Sequence, residues 1–173
     1  MLISSAYIAE QKLLHEQEAY GSRGYNWGYL VAGIAVIEKC QTILDYGCGK
    51  ATMGRTLNTA GFNCTSYDPG VEKFAKAPAA VDLVACVDVL EHIEPDCLDA
   101  VLDHIAKLAR KVLFVAISTR PAKRWLTDGR NAHLIVQDGP TFWRPKFEER
   151  GFVVRRVWDT GISEWVALME KRT

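Results

Sequence analysis

Two rhythms of apolar and polar positions alternate along this chain of 173 residues. Strand-length segments stand at 42–46, 63–67, 82–87 and 111–117, the last two the most apolar, as strands buried on both faces are. Between them, 50–60 and 94–108 carry helical spacing. The second of these puts Leu98, Val101, Leu102, Ile105 and Leu108 on one face, and Pro95 falls early, where a helix tolerates proline. Gly61 stops the first helix, and Gly151 stops a further one around 141–150. Strands at 152–158 and 164–170 close the chain. Asp159-Thr160-Gly161 joins them as a hairpin-like turn, so the last strand is expected to run antiparallel. Upstream, 1–19 reads as an amphipathic helix, 20–27 as a loop rich in glycine and aromatics, and 27–40 as an apolar helix that Asn26 is placed to cap. The alternation predicts an α/β fold with a doubly wound, mostly parallel sheet. Residues 1–40 form N-terminal helices and a lid-like loop, and 41–173 the body of one structural domain.

Composition narrows the class. With 49% apolar and 24% charged residues, the chain has the balance of an ordinary soluble protein. A formal net charge of zero gives no global attraction to nucleic acid or membrane. The charge is unevenly placed: nine acids against two lysines over 64–106, then twelve Lys and Arg against four acids over 107–156. Five cysteines (Cys40, Cys48, Cys64, Cys86, Cys97) show no Cys-x-x-Cys spacing, which argues against a disulfide framework or a zinc site and for a reducing, cytoplasmic setting. No metal site is expected. No stretch reaches the length of a membrane span, and the N-terminus lacks the signature of a signal peptide.

The candidate chemistry lies at the strand ends. Ile43-Leu44-Asp45-Tyr46-Gly47-Cys48-Gly49 is a buried strand running into a turn tight enough for a ligand to touch backbone. Asp68 and Asp88 end the next two strands. A carboxylate at Asp68 is placed to accept both ribose hydroxyls of an adenosine. After Gly49 the chain reads Lys50-Ala51-Thr52-Met53-Gly54, so the strict dinucleotide fingerprint is absent, as is a P-loop. The site is built for an adenosine without phosphates.

These residues resemble a known group. The run 43–49, Tyr67-Asp68-Pro69 and Cys86-Val87-Asp88-Val89-Leu90-Glu91-His92-Ile93 look like motifs of class I S-adenosylmethionine-dependent methyltransferases, nearest to the ubiquinone-biosynthesis O-methyltransferase type. Gly151-Phe152 fits the opening of that family's sixth strand. The resemblance spans roughly 40–158 and implies a Rossmann-like methyltransferase fold with S-adenosylmethionine as cofactor. It implies that Asp45, Tyr46, Gly47, Cys48 and Gly49 hold the methionine part and order its loop, that Asp68 and Pro69 take the ribose, and that Asp88 lies beside the cofactor. Two departures stand out. Ala51 replaces the usual third glycine, and only thirteen residues separate Asp68 from Asp82, so the second helix and third strand must be shortened or missing.

If the acceptor is a hydroxyl or amine, a base should take its proton, and histidine has the suitable pKa. His92, at the mouth after its strand, and His133, in the long loop 118–139, are the catalytic candidates. Each has an ordinary structural alternative, and His15 and His104 are expected on helix surfaces, uninvolved. The loop at 20–27 could close over the cofactor or anchor the N-terminal helices to the core. No Pro-Cys pair or Asn-Pro-Pro-Tyr-like segment points to base methylation. A small-molecule acceptor leads, and the basic residues Arg120, Lys123, Arg124, Arg130, Arg144 and Lys146 permit an anionic one. Nucleic-acid or protein methylation on the basic half, a non-catalytic S-adenosylmethionine binder and, more distantly, a nicotinamide-dependent dehydrogenase remain as alternatives.

Overall fold

One six-stranded sheet organises the chain: β1 (Thr42–Tyr46), β2 (Asn63–Tyr67), β3 (Val81–Val87), β4 (Ala109–Ser118), β5 (Phe152–Trp158) and β6 (Glu164–Lys171). The computed structural model describes residues 1–15 and 23–172. The strand order is β2-β1-β3-β4-β6-β5. The first four strands in this order pair in parallel, and β6 runs antiparallel to both β4 and β5. The hairpin at 159–161 thus folds the last strand back into the sheet, between its two neighbours.

Alternation along the central strands divides the core in two. Leu44, Tyr46, Val84, Cys86, Leu113 and Val115 face one side, covered by α4 (Leu98–Leu108) and α5 (Arg144–Glu148). Ile43, Leu83, Ala85, Val112 and Phe114 face the other, covered by α2 (Gly28–Ile37) and α3 (Thr52–Thr59). The five apolar residues expected on one face of α4 are all buried. Burial of each stabilises the fold by roughly 1.5–3 kcal/mol. All five cysteines are buried thiols, with Cys64 and Cys86 inside the core.

Some local expectations are corrected. The second helix starts at Gly28 with Trp27 before it and no side-chain cap, so Asn26 does not cap it. Asn26 lies instead in a 3-10 turn, Arg23–Trp27, where Trp27 packs against Phe114 with ring centroids 5.7 Å apart. The N-terminal helix α1 covers Ser5–His15. Residues 16–19 of the expected helix and 20–22 of the expected lid lie outside the described residues. Beyond Asp68 only a 3-10 turn, Glu72–Phe74, precedes β3, so β2 is the sheet edge and the expected shortening is real. Among the described residues, no helix is long and apolar enough to cross a membrane.

Candidate active site

The turn after β1 is built around backbone. Gly47 and Gly49 have φ of 71° and 49°, in the left-handed region. A Cβ at Gly47 would run into the Val89 side chain. The Gly47 and Cys48 N–H groups both donate to the Tyr67 carbonyl, at 2.8 and 3.0 Å, which ties the turn to the end of β2. Ala51, where a glycine was the usual residue, also takes a left-handed φ of 52°.

Asp68 is the second anchor. Its Oδ2 accepts the Gly49 N–H and its Oδ1 the Gly70 N–H, both at 2.9 Å. Each carboxylate oxygen has two lone pairs, so this fixes the group and leaves it able to accept more. Asp45 is different. It is buried on the α3 side of the sheet, where its Oδ2 accepts the Gly54 N–H at 3.0 Å. Burial pushes its carboxyl up to about 7, opposed by that hydrogen bond and aided by the negative charge of Asp68. The Gly54 contact ties the end of β1 to the first turn of α3. The Tyr46 hydroxyl pairs with His104 Nδ1 at 2.9 Å, and both rings pack against Tyr67, so His104 supports the floor of the site instead of standing apart on a helix surface.

Three hollows converge on Asp88. A cleft is lined by Tyr46, Gly47, Asp68, Pro69 and Val89 together with Ile3, Tyr7 and Gln11 from the N-terminal segment. The α1 helix therefore walls the side where the chain between Asp68 and β3 is short. Ser4 holds it there: its N–H and hydroxyl donate to the Glu94 carboxylate at 2.9 and 2.7 Å. A narrow pocket bounded by Arg23, Gly24, Asp45, Gly47 and Cys48 also reaches Asp88. Arg23 and Gly24 from the expected lid are thus part of a pocket wall, while Trp27 serves as the anchor. The third hollow is lined by Arg120, Lys123, Arg124, Ala132 and His133, and shares Asp88 and His92 with the first.

Asp88 sits in a left-handed conformation, φ 56°, with its N–H on the Ala116 carbonyl. Such strain at a non-glycine residue gathers where function demands a particular side-chain position. Arg23 pairs with Asp88 Oδ1 at 3.2 Å and with Glu164. The two candidate histidines are neighbours: His92 and His133 meet edge to face, ring centroids 4.7 Å apart. His92 Nδ1 lies 2.7 Å from the Ala132 carbonyl and His133 Nδ1 2.6 Å from the Arg120 carbonyl. A carbonyl only accepts, so each Nδ1 carries the proton. Burial, with His133 alongside, pushes His92 down to about 4, although Asp88 pulls the other way.

Glu91 was not singled out from the sequence. It is fully buried, with Oε1 on the Ser118 N–H at 2.7 Å. Burial first, and the Asp88 charge second, push its carboxyl well above the usual range. Its signal was the spacing Asp88-x-x-Glu91-His92, one turn of chain after β3. The basic half also resolves. Arg130 pairs with Asp128, Arg144 with Glu148 and Arg150 with Asp99 and Asp103, and Lys146 lies 5.0 Å over the Phe142 ring. Of the basic residues picked from the sequence, Arg120, Lys123 and Arg124 line the hollow beside His92 and His133.

A family model described as a methyltransferase domain matches residues 16–157. No curated protein sequence matches the chain. Among solved structures, magnesium protoporphyrin IX methyltransferase from Synechocystis with bound S-adenosylmethionine is 18% identical, covers 90% of this chain and 86% of its own, and superimposes with a TM-score of 0.62. The 1,6-didemethyltoxoflavin-N1-methyltransferase of Burkholderia thailandensis, solved with its substrate and S-adenosylhomocysteine, is 14% identical, covers 97% and 89%, and gives 0.70. A mitomycin 7-O-methyltransferase is 17% identical, covers 94% and 61%, and gives 0.67. At these identities the likeness is one of fold. The family model spans most of the sequence, and the chain belongs to the methyltransferase-domain family.

Proposed function

We propose that this chain transfers the methyl group of S-adenosylmethionine to an oxygen or nitrogen of a small anionic molecule. The observation that carries the reading is the meeting of the three hollows at Asp88, with the glycine turn and Asp68 on one side and His92, His133 and the basic loop on the other. The donor side fits an adenosine: Asp68 is held to accept ribose hydroxyls, apolar Ile3 and Val89 flank the cleft, and Gly47 lies so close to Val89 that a side chain there would collide with it. The same cofactor is bound in the solved relatives from Synechocystis and, as its demethylated product, Burkholderia.

When bound, S-adenosylmethionine supplies a methyl group already on a good leaving group, a sulfonium. The new C–O or C–N bond forms as the C–S bond breaks, and the bonding pair returns to sulfur. The protein's own part is alignment, which supplies up to roughly 7–11 kcal/mol. Gly47, Gly49 and Asp68 fix the donor, and Arg120, Lys123 and Arg124 hold the acceptor's anionic group. His92 and His133 line the mouth of the basic hollow, where the acceptor presents the atom that loses its proton.

The test is incubation with methyl-labelled S-adenosylmethionine and pooled phosphorylated and carboxylated metabolites, read by mass spectrometry. A labelled small-molecule product supports the reading. Label on oligonucleotide or protein alone, or no transfer at all, contradicts it.

A further inference from the structure

We infer that Asp88, Glu91, His92 and His133 form a binding site for one divalent first-row transition-metal cation, at the junction of the donor and acceptor clefts. The sequence suggested no metal, because the four residues come from two segments and only the fold joins them. One ligand atom from each lies within 4.8 Å of every other. Opposite ligands on a metal with bonds of about 2.1 Å stand about 4.2 Å apart, so small side-chain movements close the set.

The histidines are prepared for coordination. Both donate Nδ1–H to a backbone carbonyl, of Ala132 and of Arg120, which puts the ring lone pair of the neutral form on Nε2. Backbone carbonyls orient the imidazoles of metal sites in this manner. A second observation points the same way. Glu91 is 0% exposed, and its Oε2 is buried with no N–H or hydroxyl donor from another side chain or the backbone, facing the Asp88 carboxyl. A buried carboxylate oxygen with no donor is costly. A cation held there satisfies it and sits between the Glu91 and Asp88 carboxyl groups. Asp88 Oδ1 is shared with Arg23, and its other oxygen supplies the fourth ligand.

Ligand chemistry selects the metal class. Two imidazoles with two carboxylates suit Mn²⁺, Fe²⁺, Co²⁺ or Zn²⁺ better than Mg²⁺ or Ca²⁺, which favour all-oxygen shells. Here the inference builds on the reading of the basic hollow as the acceptor's entrance. A cation with a position open to it lowers the pKa of a bound hydroxyl, whose proton passes to water. The resulting oxygen anion then takes the methyl group as the C–S pair returns to sulfur. On this account His92 and His133 serve the acceptor through the cation, and the acceptor atom is oxygen.

The experiment titrates the chelator-treated full chain with CoCl₂, followed by calorimetry and by visible absorption of the bound ion. Wild type takes up one equivalent, and His133→Ala and Asp88→Asn each weaken uptake at least tenfold. S-adenosylhomocysteine affinity measured on the same samples, unchanged within twofold in His133→Ala, shows that the fold and donor side survive. Absence of one-equivalent uptake, or wild-type uptake by both variants, overturns the site. Donor binding without cobalt uptake would overturn the cation and leave the methyl-transfer reading standing.

Discussion

His92 and His133 stand edge to face at 4.7 Å with their ring planes at 85°, each locked by its Nδ1 to a backbone carbonyl. One sits in the turn after β3, the other in the loop that follows β4. The pair links the strand-end chemistry to the basic loop, and Asp88 beside it opens toward the donor cleft. Substituting either histidine with alanine is expected to lower kcat by about 10²-fold or more, the scale of lost help in removing the acceptor's proton. S-adenosylhomocysteine affinity should hold within a small factor. Steady-state kinetics on the identified acceptor, beside calorimetry, checks both halves.

Gly47 tests the closeness of backbone and donor. Gly47→Ala puts a Cβ into Val89 at a residue with φ of 71°. The left-handed conformation alone costs about 1–2 kcal/mol for a residue with a Cβ. Donor binding should fall sharply with a modest loss of Tm. Adding Val89→Ala relieves the overlap and not the φ strain, so the double variant should recover only part of the loss. Thermal melts with and without S-adenosylhomocysteine read both effects.

Asp45 makes stability depend on pH with a definite sign. Burial raises its pKa in the folded chain to about 7, well above the ordinary aspartate range. Below the unfolded value both states hold the proton and the group is neutral to folding. Between about pH 4 and 7 the folded state keeps a proton that the unfolded chain releases, so stability falls as pH rises. Asp45→Asn keeps an acceptor for Gly54 N–H and removes the titration. The variant should match wild type near pH 4 and exceed it near pH 8 by a few kcal/mol, on the order of 1.4 for each unit of pKa displacement. Urea denaturation at both pH values measures the difference.

Glu94 secures the N-terminal wall of the donor cleft through Ser4. Glu94→Ala should loosen α1, weaken S-adenosylhomocysteine binding several-fold and speed proteolysis near the N-terminus. The main core is untouched, so far-ultraviolet circular dichroism should change little.

Much of the sheet was legible because its strands end on punctuating residues. The strands over 42–46, 63–67 and 152–158 have the bounds read from the sequence, each framed by glycine or by the Asp68-Pro69 turn. Period-3.6 spacing identified the buried face of α4. Less was legible where long-range packing decides. The hairpin predicted an antiparallel β6, but not its insertion between β4 and β5, which depends on pairing with a strand far back in sequence. The N-terminal helix was visible by its pattern, yet its place as a wall of the donor cleft follows from the missing elements after Asp68. Glu91 stood inside the 86–93 motif with no role of its own, and only burial against Ser118 distinguishes it. His92 and His133 were found separately, and their contact is a property of the fold.

The central claim is that the Gly47–Asp68 cleft binds the adenosine of the methyl donor, and calorimetric titration with S-adenosylhomocysteine tests it most directly. The account predicts one equivalent bound by wild type. Asp68→Ala removes charge-assisted contacts worth roughly 1.5–3 kcal/mol and should weaken binding about 10- to 150-fold. Equal affinities for the two proteins, or no binding to wild type, would contradict it.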